Sequence, residues 1–355
     1  MSLPYLQNNW GLSNGLQTMN AAGGSVGGWV ELGRTTLVSA GDTIDVTSFT
    51  DKRYYMVLTN GINSGVLGLR NRVGTTTIDT GSNYAGRLSY NGGADSTSTS
   101  ASFADIAGFD QTANLFQVVY ISNLSGNEKL IQGHSMNGQA SGAGTAPTRA
   151  EGVFKWANTS NPLQSYRSYN ASTGSYASGS EVVVLGWDAA DTHTTNFWEE
   201  LASVDVGVAT DTIDSGTITA KKYIWFQAYG EGNTEMQFRL NSDSGSNYAS
   251  RRNNNGGTDS TFTSQTQSKI NATGGTASTT CFMNGFIINN ASNEKLIITH
   301  QVVSDTDGAA TAPIRSEGVT KWANTSVQAT SLQIYDNGGT GQFGTNSKLR
   351  VWGSD

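Results

Sequence analysis

The 355-residue chain sets 28 acidic against 21 basic residues, a net charge of −7, and only 14% of it is charged. It lacks the dense basic surface of a nucleic-acid binder, and the doublets Lys221–Lys222 and Arg251–Arg252 stand isolated as solvated surface. A single cysteine, Cys281, excludes an intrachain disulfide framework; no apolar run is long enough to cross a bilayer as a helix; and 8 Trp, 13 Tyr and 12 Phe supply apolar area that a disordered chain lacks.

Residues 1–28 come first and match nothing downstream. Met1-Ser2-Leu3-Pro4-Tyr5 has neither a basic start nor a continuous apolar stretch, so no secretory signal is expected. The corresponding expectation is synthesis in a host cytoplasm and arrival outside it within an assembly. The segment is rich in Asn, Gly and Gln, with Trp10, Leu12, Leu16 and Met19 as apolar anchors. It is either a free terminus or an arm that orders on a neighbouring subunit.

From Trp29 onward helical periodicity is nearly absent. Short runs rich in β-branched and aromatic residues predict strands at Tyr54 to Leu58, Phe116 to Ile121, Lys129 to Gly133 and Glu181 to Leu185. Asn60-Gly61 and Asn91-Gly92 are turn dipeptides that accept positive φ. After a short polar join, Ala189 to Thr195, the same sequence of features returns. Strands are predicted at Tyr223 to Ala228, Phe282 to Ile288, Leu296 to Val303 and Leu349 to Trp352, with turns at Asn255-Gly256 and Asn337-Gly338.

The return is a duplication. TAPTRAEGVFKWANTS (Thr145 to Ser160) recurs as TAPIRSEGVTKWANTS (Thr311 to Ser326), and GSNYA (Gly81 to Ala85) recurs at Gly245 to Ala249. NEKLI (Asn127 to Ile131) recurs at Asn293 to Ile297. A period of about 165 residues is too long for a solenoid and suits a whole domain. The expected organisation is an arm (1–28), a first domain (29–188) and a second (197–355), held as a nearly fixed pair by the short join. Many short strands with Gly-rich turns predict an all-β chain of two tandem jelly-roll-like β-sandwich domains with an extended N-terminal arm. A nine-strand immunoglobulin-like sandwich is the alternative, without its Cys–Trp–Cys pattern.

Within the repeated block, Trp156 and Trp322 are expected as core plugs. Asn158-Thr159-Ser160 and Asn324-Thr325-Ser326 are expected as turns closed by side-chain hydrogen bonds. Arg149 with Glu151, and Arg315 with Glu317, are two apart and share a strand face; each is expected as an exposed ion pair worth well under about 1 kcal/mol. Cys281, in the run Cys281-Phe282-Met283, is expected as a buried hydrophobe.

No catalytic constellation emerges. His134 and His300 occupy equivalent strand positions without a second His or Cys at metal-ligand spacing, which favours structural roles, and His193 lies in the join. No nucleophile elbow or phosphate loop is present. Glu199–Glu200, Asp42–Asp45 and Asp211–Asp214 are carboxylate pairs on expected loops. No cofactor is implied, although Asp305-Thr306-Asp307-Gly308 resembles the start of a calcium loop without its later ligands. For a glycan-binding module, Tyr84, Arg87, Tyr248 and Arg251 are the candidate contacts, since aromatic rings stack on sugars.

The closing strands, Gly179 to Gly186 and Asn346 to Gly353, resemble the end of a jelly-roll unit in structural proteins of environmental phages and archaeal viruses. The E-G-V-x-K-W-A-N-T-S block and the G-S-N-Y-A-x-R segments (Gly81 to Arg87, Gly245 to Arg251) carry the same resemblance. It covers both repeats and not residues 1–28. It implies a non-enzymatic structural protein of a virion or extracellular filament, a decoration, fibre or capsid subunit that self-assembles through its sandwiches and its arm. The partners would be copies of itself, other particle proteins and surface glycans, with no nucleic acid and no membrane insertion. The alternatives are a glycan-binding host-attachment module and, further off, a glycan-degrading enzyme. Close copies with no clear helix favour decoration or fibre over a capsid lattice.

Overall fold

The computed structural model describes residues 28–107, 110–189, 191, 195–232, 236–270, 280–304, 308–336 and 343–355. Residues 1–27, His193, Asp305 to Asp307 and Asn337-Gly338 lie outside them. Among the described residues no helix occurs and every strand ladder is antiparallel.

The first domain contributes β1 (Val30–Thr36), β2 (Thr43–Thr47), β3 (Tyr54–Gly61), β4 (Asn63–Ser64), β5 (Leu67–Gly74), β6 (Tyr84–Tyr90) and β7 (Ser96–Ala101). It continues with β8 (Asp110–Gln111), β9 (Leu115–Ser122), β10 (Lys129–Asn137), β11 (Thr148–Trp156), β12 (Ser165–Asn170), β13 (Ser175–Tyr176) and β14 (Glu181–Trp187). The second contributes β15 (Glu199–Asp205), β16 (Thr212–Asp214), β17 (Tyr223–Glu231), β18 (Met236–Leu240), β19 (Tyr248–Asn254) and β20 (Ser260–Gln265). Its last strands are β21 (Thr280–Ile288), β22 (Lys295–Val303), β23 (Ile314–Trp322), β24 (Leu332–Asp336) and β25 (Lys348–Ser354).

Each domain pairs a broad sheet with a narrow one. The broad sheets run β1-β14-β3-β9-β10-β11-β6-β7 and β15-β25-β17-β21-β22-β23-β19-β20, the same order built twice. The narrow sheets run β2-β12-β5-β8 and β16-β24-β18. The first strand pairs with the last and the second with a late one (β1 with β14, β2 with β12; β15 with β25, β16 with β24). That nesting is the wrapping of a jelly roll. The turn dipeptides Asn91-Gly92 and Asn255-Gly256 take positive φ at both residues, the geometry that joins twisted strands tightly. Asn60-Gly61 corrects the expected turn: both residues end β3 inside the sheet, and Asn60 is buried.

Successive strand side chains point to opposite faces, and three cores follow from that alternation. Val57, Val119, Ile131 and Val184 of the first broad sheet meet Leu69, Val73 and Tyr166 of its narrow sheet. Phe226, Met283, Ile297 and Val351 meet Phe238 and Ile334 in the second domain. The intervening positions build the third core, from Met56, Leu58, Phe116, Val118, Met136, Val183 and Leu185 of the first domain and Tyr223, Trp225, Phe286, Leu296, Ile298 and Trp352 of the second. The broad sheets therefore pack on each other by their outer faces, and the chain is four layers deep. Each large side chain buried this way contributes roughly 1.5–3 kcal/mol relative to exposure.

Candidate functional site

The repeated sequence blocks converge on one corner in each domain. Asp79 accepts from the Gly81 N–H (2.8 Å), Asn83 Nδ2 (2.8 Å) and Trp156 Nε1 (2.7 Å). Asp243 accepts from Gly245, Asn247 and Trp322 at 2.8, 2.9 and 2.6 Å. Burial alone would raise these carboxyls, but the hydrogen bonds from the indole, the amide and the backbone outweigh it and hold both below the usual range. Lys129 Nζ donates to the carbonyls of Asn127 and Asn158, and Lys295 Nζ to those of Asn293 and Asn324. The Asn158 and Asn324 side chains close the next turn on Ser160 and Ser326. The conspicuous shared motif is thus a fastening that ties strand, loop and core tryptophan together.

Tyr84 and Tyr248 belong to the same corner, which corrects their candidacy as sugar platforms. They are 1% and 0% exposed, and each hydroxyl is tied to the backbone, at Val73 and at Leu240. Their rings lie inside the sandwiches, where no ligand can stack. Arg251 is taken up at the domain junction, where its Nε donates to the Pro147 carbonyl at 2.8 Å. Arg87 alone of the four is exposed.

The junction is the most elaborate polar and apolar arrangement in the molecule. Trp225 stacks on Phe286 (centroids 5.7 Å apart) and leans on Trp352 (4.8 Å). Arg149, expected on the surface, is 4% exposed and reaches Glu151, Asp259 (2.8 Å) and Glu317 (3.4 Å), the last two across the junction. Lys321 is fully buried and donates to the carbonyls of Gly138 (2.8 Å) and Ala140. Glu181 accepts from Lys222 (3.0 Å) and the Tyr223 hydroxyl (2.9 Å). Burial would raise its carboxyl, but hydrogen bonds from Thr36 and Lys222 and the Lys222 and Arg34 charges win and lower it. At the centre, His300 Nε2 lies 3.1 Å from His134 Nδ1, so equivalent histidines of the two domains touch. Burial depresses both imidazoles, His300 to about 4, and each ring is neutral near pH 7.

Beside this junction the first domain leaves an open groove of about 910 Å³ on its broad sheet, lined by Trp29, Tyr54, Tyr120, Leu130, Val153 and Trp187, with Arg87, Gln132 and Lys155 among them. Tyr54 and Trp187 stack at 5.4 Å. A smaller polar cleft of about 430 Å³ runs between the domains past Asp95, His134, Glu151, Arg315 and Glu317.

Cys281 is buried, accepts from Gln301, and its thiol is pushed up to about 12 by burial, the opposite of nucleophile activation. Among the described residues no three His, Cys, Asp or Glu side chains stand together as a metal site, and the acidic run Asp305 to Asp307 lies outside them. The junction residues Trp225, Ile298 and Trp352 escaped sequence reasoning. Their signal was there in the differences between repeats: Met56, Gln132 and Leu185 stand in the equivalent first-domain positions.

No family model matches the chain, and no curated protein matches it. Among solved structures it is similar to domains LG4-5 of the mouse laminin alpha1 chain, at 10% identity over 94% of this chain and 92% of that one, with a TM-score of 0.18. Another similar structure is Neisserial surface protein A, at 6% identity over 81% of this chain and 99% of that one, with a TM-score of 0.11. At such scores neither likeness bears on fold or function.

Proposed function

We propose that the chain is a non-enzymatic structural subunit of a larger assembly, a virus particle or an extracellular filament, in which it serves as a decoration, fibre or capsid component. The observation that carries this reading is the junction. A sandwich needs only its inner core to fold, yet here the outer faces of both broad sheets are committed to a third core with its own ion pairs. Domain–domain adhesion through sheet faces is thus a property this fold already has. The buried charges Arg149, Glu181 and Lys321 all reach across the junction and hold the two sandwiches together. The virion setting is supported by the sequence resemblance of the closing strands and repeated blocks.

Electron microscopy with sedimentation of the purified full chain tests it. Ordered particles, rings or filaments that grow with concentration are expected. A monomer at every concentration, with and without residues 1–28, removes the reading.

One observation favours a second reading, glycan binding. The stacked Tyr54–Trp187 pair borders an open groove with Arg87 and Gln132 at hand, and ring faces with nearby amide and guanidinium donors suit sugars. A glycan array blank with and without calcium removes it.

A further inference from the structure

The junction uses one surface from each domain and leaves the two equivalent surfaces free. Strand pairing places Tyr54, Leu130 and Val153 where the second domain has Tyr223, Leu296 and Val319. The second-domain residues are each 1% exposed, whereas Tyr54, Leu130 and Val153 are 37%, 59% and 53% exposed. The reverse holds on the other side. Phe116 and Met136, buried against the second domain, correspond to Phe282 and Val302, which are 40% and 41% exposed; buried Asn60 corresponds to Tyr229, at 37%. Of the ten large hydrophobics exposed among the described residues, six fall on these two surfaces, so the exposure is concentrated and not scattered.

The charges repeat as well. Arg315 stands in the place of Arg149 with its side chain 57% exposed, and Asp95 and Glu151 stand in the places of Asp259 and Glu317. The molecule thus carries both halves of one more junction. Within the chain Arg315 lines the same polar cleft as Asp95 and Glu151, beside the His134–His300 contact, but pairs with Glu317 of its own domain.

We infer that the face bearing Tyr54, Leu130, Val153 and Trp187 receives the Tyr229–Phe282–Val302 face of a second copy of this chain, with Arg315 of that second copy meeting Asp95 and Glu151 of the first. The inference rests on the structural-subunit reading and names the surfaces that would perform it. Gln132 for Ile298, Asn284 for Val118 and Arg350 for Val183 make the free faces more polar than the internal ones. That mixture suits a surface that must stay soluble until it is covered. The contact pairs unlike surfaces, so it propagates into a ring or an open filament.

The test uses the full chain and two variants at exposed positions, Leu130→Glu and Phe282→Glu, followed by sedimentation over a concentration series. The expected result is wild-type association, at least tenfold weaker self-association for each variant at an unchanged thermal midpoint, and discrete dimers in an equimolar mixture. The mixture stops at dimers because each variant retains the face the other needs. Association indifferent to both variants overturns the inference and leaves the subunit reading standing. A wild-type monomer throughout overturns both. Loss of association in Leu130→Glu alone means like faces pair, which overturns the head-to-tail contact. A monomer that associates only after residues 1–27 are removed places the chain's own N-terminal segment in the groove and overturns it as well.

Discussion

Strands β10–β11 and β22–β23 are the same hairpin built twice, and they are buried differently. In the first domain the outward positions Leu130, Gln132, Val153 and Lys155 are exposed, and burial alternates along each strand. In the second domain Leu296, Ile298, Val319 and Lys321 are buried, so β22 is covered on both faces over most of its length. At the other end of the hairpin the asymmetry reverses, with Met136 and Arg149 buried and Val302 and Arg315 exposed. One fold thus contains two complementary adhesive surfaces, and each domain uses a different one. The repeated block does not choose between them: TAPTRAEGV and TAPIRSEGV are nearly the same, yet the Arg149 side chain is 5% exposed and that of Arg315 57%.

The contrast between those arginines is the sharpest place to break the comparison. Arg149→Ala leaves Asp259 and Glu317, both on the second domain's side of the buried junction, without the cation that reaches them from the first domain, and an expected loss of about 3–5 kcal/mol follows. Arg315→Ala is expected to change stability by less than about 0.5 kcal/mol, since exposed ion pairs contribute little. Paired urea titrations compare the two, and equal losses would mean that the junction charge network is not what separates the halves. The apolar counterpart is Leu296→Ala against Leu130→Ala in the monomer. A buried leucine costs about 2–5 kcal/mol to truncate and a surface one about 0.5 or less, so similar midpoints would contradict the third core.

The smallest effect concerns pH. The folded histidine pair is depressed, His300 from 6.5 to about 4, so between those values the unfolded chain binds more protons and stability rises with pH. The junction's full strength is present above about 6.5 and is lost as pH falls towards 4, by up to about 2 kcal/mol at pH 5. Unfolding midpoints at pH 7 and pH 5 measure the loss. His300→Gln should flatten it; an unaltered pH dependence in that variant would place the titration elsewhere. The carboxyls of Asp79, Asp243 and Glu181, all held low, add their own losses as pH falls through the ordinary carboxylate range and below it.

Much of the fold was legible. The runs from Tyr54, Phe116, Lys129 and Glu181 are strands, as are their second-domain counterparts, because β-branched and aromatic residues at period two specify a pleated, half-buried surface. Trp156 and Trp322 plug the cores, Cys281 is buried, and the Asn158 and Asn324 turns close as their side chains require. The corner was visible as a repeated motif but was half misassigned. Tyr84 and Tyr248 looked like ligand platforms because a motif shows which residues act together, not whether solvent reaches them. Asn60-Gly61 looked like a turn because the dipeptide permits one; its pairing with β9 and β14 and its burial at the junction placed it in a strand.

The amino-acid sequence by itself determined that this protein is a duplicated β-sandwich chain, where its most apolar strands fall, and that Trp156, Trp322 and Cys281 are buried. All of these follow from short-range pattern: period-two alternation, turn chemistry and the repeat. Only the tertiary structure decided that the broad sheets meet by their outer faces, that Arg149 is buried while Arg315 is not, and that two histidines 166 positions apart touch. Alternation assigns a side chain to a face of its sheet, but what covers that face is set by a partner surface distant in the chain, and no local pattern encodes that.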